Sequence, residues 1–164
     1  MGFRSMFMNI KLIVVGKTDD SNLNELIAQY TKRLAHYINF SIEILPDIKQ
    51  AKNLSESEQK TREGAQILAK IGAGDVLILL DEKGKQFSSM DFAAQLQKRM
   101  NSGVKQLVYV IGGPYGFSEE LYSKAQGKIS LSSMTFSHQM IRLFFIEQLY
   151  RGFTILRNEP YHHR

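Results

Sequence analysis

A chain of 164 residues, 43% of them hydrophobic, has the length and apolar content for one domain with a substantial core. It contains no cysteine, which excludes disulfides and thiolate metal sites, and no apolar run nears the roughly 20 residues of a membrane helix. The formal net charge of +5 suits an anionic partner such as RNA without demanding one.

Met1–Phe7 is too short to supply the apolar stretch of a signal peptide. Met8 is read as the natural start, residues 1–7 as an extension, and the protein as cytoplasmic. Asn9–Val15 reads as a buried strand ending at Gly16. Asn22 and Glu25 have capping-box spacing, and Leu23, Leu26, Ile27, Tyr30 and Leu34 follow at helical intervals. Phe40–Leu45 predicts a second strand, stopped by Pro46, and Asp47–Asn53 a polar loop. Ser55 and Glu58 form another box, ahead of a helix that ends near Gly72 with Ile67, Leu68 and Ile71 as its core face. Val76–Leu80 is apolar throughout, as in a strand covered on both faces, and Asp81–Gly84 reads as a turn. Ser88 caps the next helix, which turns Phe92, Leu96 and Met100 inward.

Leu107–Ile111 is strand former that runs into Gly112-Gly-Pro-Tyr-Gly116. Glycines there let the backbone bend or a ligand come close, and Pro114 stiffens the turn. Ser118, followed by Glu119 and Glu120, starts a helix that reaches Ala125. A short strand at Ile129–Leu131 precedes the loop Ser132–Ser137 and the longest apolar helix, about His138 to Arg151. Ile141, Leu143, Phe144, Phe145, Ile146, Leu149 and Tyr150 cover most of its circumference, so it is buried on more than one side. Its second cover is either the same subunit or another copy in a two-fold dimer. The alternation predicts an α/β fold, one domain over residues 8–164, with a parallel sheet flanked by helices.

Several familiar sites are missing. There is no P-loop, no G-x-G-x-x-G and no G-x-S-x-G, and no acid is placed to hold a ribose in the dinucleotide manner. His162 and His163 are adjacent, poor geometry for one ion, so no metal is expected. What remains is three strand ends: Leu80, Gly112 and the loop from Leu131 to Phe136. Bare backbone amides with apolar walls from Leu131, Met134 and Phe136 suit a flat heterocycle such as adenine better than a phosphate chain. The same pattern equally accommodates a plain tight turn and core packing.

Gly112, Gly113 and Gly116, then Leu131-Ser-Ser-Met-Thr-Phe-Ser-His-Gln139, Arg142, Glu147-Gln-Leu-Tyr-Arg151 and the terminal Tyr161-His162 together resemble one family. It is the ribosomal RNA large subunit methyltransferase H (RlmH) family, within the SPOUT class. The similarity runs from Met8 to the end and includes Lys11-Leu-Ile-Val-Val-Gly16 and Leu79-Leu-Asp81. The resemblance implies a SPOUT-type α/β fold with a C-terminal trefoil knot, a homodimer, and no membrane or metal partner. It implies transfer of a methyl group from S-adenosyl-L-methionine to N3 of a pseudouridine in 23S rRNA on the assembled ribosome. The charge of +5 is small for gripping naked RNA, so protein-free rRNA is expected to be a poor substrate. Family cofactor positions fall on Leu80, Gly112, Leu131, Ser132, Ser133, Met134, Thr135 and Phe136. One departure is Ser137, where the family commonly has proline.

The N3 proton must leave, and histidine is the residue type suited to take it near neutral pH. His138 and His162 are the candidates, His138 having a backbone-bonded helix start as its alternative. Arg142 is expected to bind phosphate or steady negative charge on the base, or else to make an internal pair. Arg151 is either structural or substrate-binding. Tyr161 and His162, offered by the twin protomer, are expected to stack on a splayed base, or else to be a frayed end. Two other functions stay open: a different nucleotide-binding α/β enzyme, and a non-catalytic RNA-binding or ribosome-assembly factor.

Overall fold

Five apolar runs become five parallel strands. In the computed structural model, which describes residues 8–163, these are β1 (Asn9–Val15), β2 (Asn39–Leu45), β3 (Val76–Gln86), β4 (Gln106–Ile111) and β5 (Gly127–Ser130). They lie in the order β2-β1-β4-β3-β5. The expected extension, residues 1–7, lies outside the described residues. The helices are α1 (Ser21–Leu34), α2 (Glu56–Leu68), α3 (Ser89–Asn101), α4 (Glu119–Lys124) and α5 (Met140–Leu156).

Strand side chains alternate between faces, and the core divides accordingly. Leu107, Tyr109 and Ile111 of β4 point to one side, where α5 packs between α1 and α3. Val108 and Val110 point to the other, where α2 packs on α4. β3 is sandwiched as expected, with Leu77 and Leu79 in one cluster and Ile78 in the other. Phe145, Ile146 and Leu149 bury α5 within its own subunit.

The three serines expected to cap helices do so. Ser55, Ser88 and Ser118 accept from the backbone N–H groups of Glu58, Asp91 and Leu121. Several boundaries differ. α1 is capped by Asp20, whose carboxylate accepts from Asn22 and Leu23, so Asn22 is inside the helix rather than at its cap. α2 ends at Leu68, short of Gly72. The expected turn at Asp81–Gly84 is strand. β3 continues to Gln86, and Ile129 of β5 pairs first with Leu80 and again with Lys85 across an irregularity. Gly84 permits this, because a Cβ there would stand 2.6 Å from the Ile129 backbone. Finally, α5 starts at Met140 and runs past Arg151 to Leu156. Gly152 does not break it, since Leu96 of α3 packs where its side chain would be.

Candidate active site: a cleft over three strand ends

β3, β4 and β5 are neighbours, so their carboxyl ends open side by side, the usual place for a ligand in a parallel sheet. A cleft of about 730 Å³ lies there. Its walls are the three expected segments: Leu80, the turn Gly112–Phe117, and the loop after β5. Leu131, Ser132, Met134, Thr135 and Phe136 all line it, as does His138; Ser133 does not.

The glycine turn is shaped by what stands behind it. A Cβ on Gly112 would meet the Phe117 ring at 2.8 Å, and one on Gly113 the Glu63 carboxylate at 2.7 Å. Gly116 has φ +83°, a left-handed conformation suited to glycine. Glu63, on α2, is buried and accepts from Gln59 Nε2 at 3.1 Å. The loop after β5 is held by its own serines. Ser130 Oγ donates to Ser132 O, and Ser132 Oγ accepts from Met134 N. Ser137 Oγ accepts from Met140 N at 3.1 Å, so the residue at the departure from proline ties the loop to α5.

His138 is exposed at the cleft, and its carbonyl accepts from Arg142 Nε. Arg142 itself does not line the cleft. It is 3% exposed and points into the protein, where Nη2 donates to Val15 O at 2.8 Å and Nη1 to Gly16 O and Thr18 Oγ1, both at 2.9 Å. Burial pushes its pKa down, against the charges of Asp19 and Asp47. Its role in this geometry is to clamp the end of β1 to the start of α5.

Arg151, Tyr161 and His162 form a second group, also outside the cleft. Arg151 is ten residues beyond Ile141, about 15 Å along the helix. It makes a two-nitrogen contact with Glu147 Oε1, at 2.6 Å from Nη2 and 3.1 Å from Nε, which raises its pKa. Its Nη1 lies 3.1 Å from His162 Nδ1, and its guanidinium 4.7 Å from the centre of the Tyr161 ring. Tyr161 donates to Glu147 Oε1 at 2.9 Å; burial, above all, raises its pKa. Tyr161 and His162 are therefore folded back on α5. Asn158, at φ 54°, reverses the chain, and Glu159 N–H donates to Thr154 O to close α5.

Two cleft residues escaped the sequence reading. Asp81 follows Leu80 and is half-buried in the cleft wall. Its Oδ2 accepts from the Tyr122 hydroxyl, and its Oδ1 from Lys83 N at 2.9 Å. Burial first, then this hydrogen bond, pushes the Tyr122 phenol up to about 12. The signal was present: an acid directly after a fully apolar strand. Reading Asp81 as a turn residue hid it.

A family model described as "Predicted SPOUT methyltransferase" matches residues 8–162, and the chain belongs to that family. Over 157 residues it is 72% identical to "Ribosomal RNA large subunit methyltransferase H" of Flavobacterium johnsoniae, spanning 96% of this chain and 100% of that one. A protein of the same name from Christiangramia forsetii is 62% identical, with the same coverage. Within the SPOUT class, then, the chain is a member of the ribosomal RNA large subunit methyltransferase H family. Among solved structures, a probable methyltransferase from Bordetella pertussis Tohama I aligns with TM-score 0.55 at 10% identity, over 90% of this chain and 95% of that one. A probable methylase family protein from Haemophilus influenzae Rd KW20 gives 0.54 at 13%, over 97% and 72%. These two likenesses concern the fold alone.

Proposed function

We propose that this protein methylates large-subunit ribosomal RNA, with S-adenosyl-L-methionine as donor and N3 of a pseudouridine in 23S rRNA as acceptor, on the assembled ribosome in the cytoplasm. The observation that carries this is the convergence of Leu80, Gly112 and the loop Leu131–Phe136 on one cleft. The residues suit the donor. The cleft is large enough for a nucleoside bearing an amino acid, its walls mix apolar side chains such as Leu80, Leu131, Met134 and Phe136 with polar and charged ones, and the turn offers backbone amides.

When bound, the donor supplies a methyl group already activated on a sulfonium. The chain's work is then orientation, which supplies most of the rate in such transfers. Leu80, Gly112, Leu131, Ser132, Met134, Thr135 and Phe136 hold the donor. His138, exposed at the cleft, accepts the N3 proton. Arg142 is a positioning residue, bonded to His138 O and to the end of β1. Arg151, Tyr161 and His162 are preassembled along α5, outside the lining of their own cleft. The reading is that a homodimer brings them to the partner's cleft, where Tyr161 and His162 stack on the acceptor base. The loop over the ends of β3 and β4, with Gln139 and Arg142 bonded beyond it to Lys17 O and Val15 O, supports a C-terminal trefoil knot.

Ribosomes lacking the modification test this. Incubated with donor and protein, their 23S rRNA should gain the mass of one methyl group, with much less on protein-free rRNA. No mass gain on ribosomes would leave only a binding protein, and equal turnover on both substrates would contradict the assembled-ribosome requirement.

A further inference from the structure

We propose that Asp81, anchored by Tyr122, makes the cleft distinguish the cationic methyl donor from its neutral demethylated product. The inference rests on the donor assignment above. S-adenosylmethionine and S-adenosylhomocysteine share almost all of their shape and hydrogen bonding. They differ by a methyl group and by the positive charge on sulfur. Backbone amides and apolar walls treat the two nearly alike, so discrimination needs a fixed negative charge in the cleft.

Asp81 is placed to supply it. It ends the apolar half of β3, next to Leu80, and is half-buried in the cleft wall. Each carboxylate oxygen is tied once, Oδ2 by the Tyr122 hydroxyl and Oδ1 by Lys83 N–H, and each keeps acceptor capacity. Tyr122 is itself held edge-on to Phe117, with ring centres 5.8 Å apart. Its raised pKa keeps it a hydrogen-bond donor at any working pH. Of the other charged groups lining the cleft, Glu56, Glu82 and Lys83 are exposed, where water and salt screen them, and Lys60 is half-buried without a carboxylate hold like that of Tyr122 on Asp81. A fixed opposite charge within a few Å shifts a charged-versus-neutral equilibrium by one to three powers of ten. Loss of Asp81 thus favours the product relative to the donor and slows turnover through retained product.

Calorimetry with three probes tests this: S-adenosylmethionine, S-adenosylhomocysteine, and sinefungin, which carries an amine in place of the sulfonium. In Asp81→Asn, affinity for the two cationic ligands should fall about tenfold relative to the neutral one. Asp81→Glu, which retains the charge, should restore part of the preference and guards against a folding artefact. Equal weakening of all three ligands would mean that Asp81 acts on the shared nucleoside or on loop structure, and would overturn the proposal. So would an unchanged ratio. If the unsubstituted protein binds none of the three, the donor assignment fails instead.

Discussion

Arg142 carries a charge into the interior and uses it on backbone. Its bonds to Val15 O, Gly16 O and Thr18 Oγ1 fix the end of β1, and its bond to His138 O fixes the loop that walls the cleft. Arg142→Met would strand those carbonyls, at an expected cost of about 2–4 kcal/mol in urea unfolding; an unchanged midpoint would contradict the clamp. Nothing local in the sequence reveals this, because Gly16 is 126 residues away along the chain. Tyr122 gives a pH signature. Its folded pKa of about 12 lies above the ordinary 10, so in that window the folded state keeps a proton that the unfolded state has lost. Its contribution to stability is complete below pH 10 and disappears as pH rises toward 12. The thermal midpoint of Tyr122→Phe should therefore fall less steeply than that of the unsubstituted protein between pH 10 and 12. Parallel curves would contradict the assignment.

At the scale of elements, the site depends on β3 and β5 staying together. Gly84 lies against the Ile129 backbone, and β5 is only four residues long. Gly84→Val should cost about 1–3 kcal/mol and speed amide exchange at Ile129 and Ser130 relative to β4. Protection unchanged at those amides would show that the close approach is not needed. Strands and caps were legible because each follows from a local rule: an apolar run, or a serine three residues before a free amide. The course of β3 past Leu80 was not, since Asp81, Glu82, Lys83 and Gly84 have turn composition and only pairing with β5 keeps them extended. The length of α5 was hidden by Gly152, which matters as a contact with α3 rather than as a breaker.

Considered whole, the subunit separates the cleft, at one end of α5, from the group of Arg151, Tyr161 and His162 farther along it. Met134 (74%), Phe136, Met140 and Phe144 are also exposed near the cleft end and form an apolar surface there. The parallel sheet was readable from strand and helix alternation, whereas this separation appears only once the tail is seen folded on α5. If the groups meet between protomers, Gly112→Trp and the Tyr161→Ala, His162→Ala double variant should each be inactive alone. Mixed and allowed to exchange subunits, they should recover about a quarter of normal activity, since half of the dimers then hold one intact site. No recovery, with exchange confirmed, would place both groups in one protomer.

Everything proposed for this chain requires that the ends of β3, β4 and β5 bind a methyl donor. Titrating S-adenosylmethionine into the purified protein by calorimetry tests it most directly. Saturable binding is expected, with none for ATP or NAD, and Gly112→Trp should abolish it while leaving the protein folded. No heat from the donor, or full binding in Gly112→Trp, would contradict it.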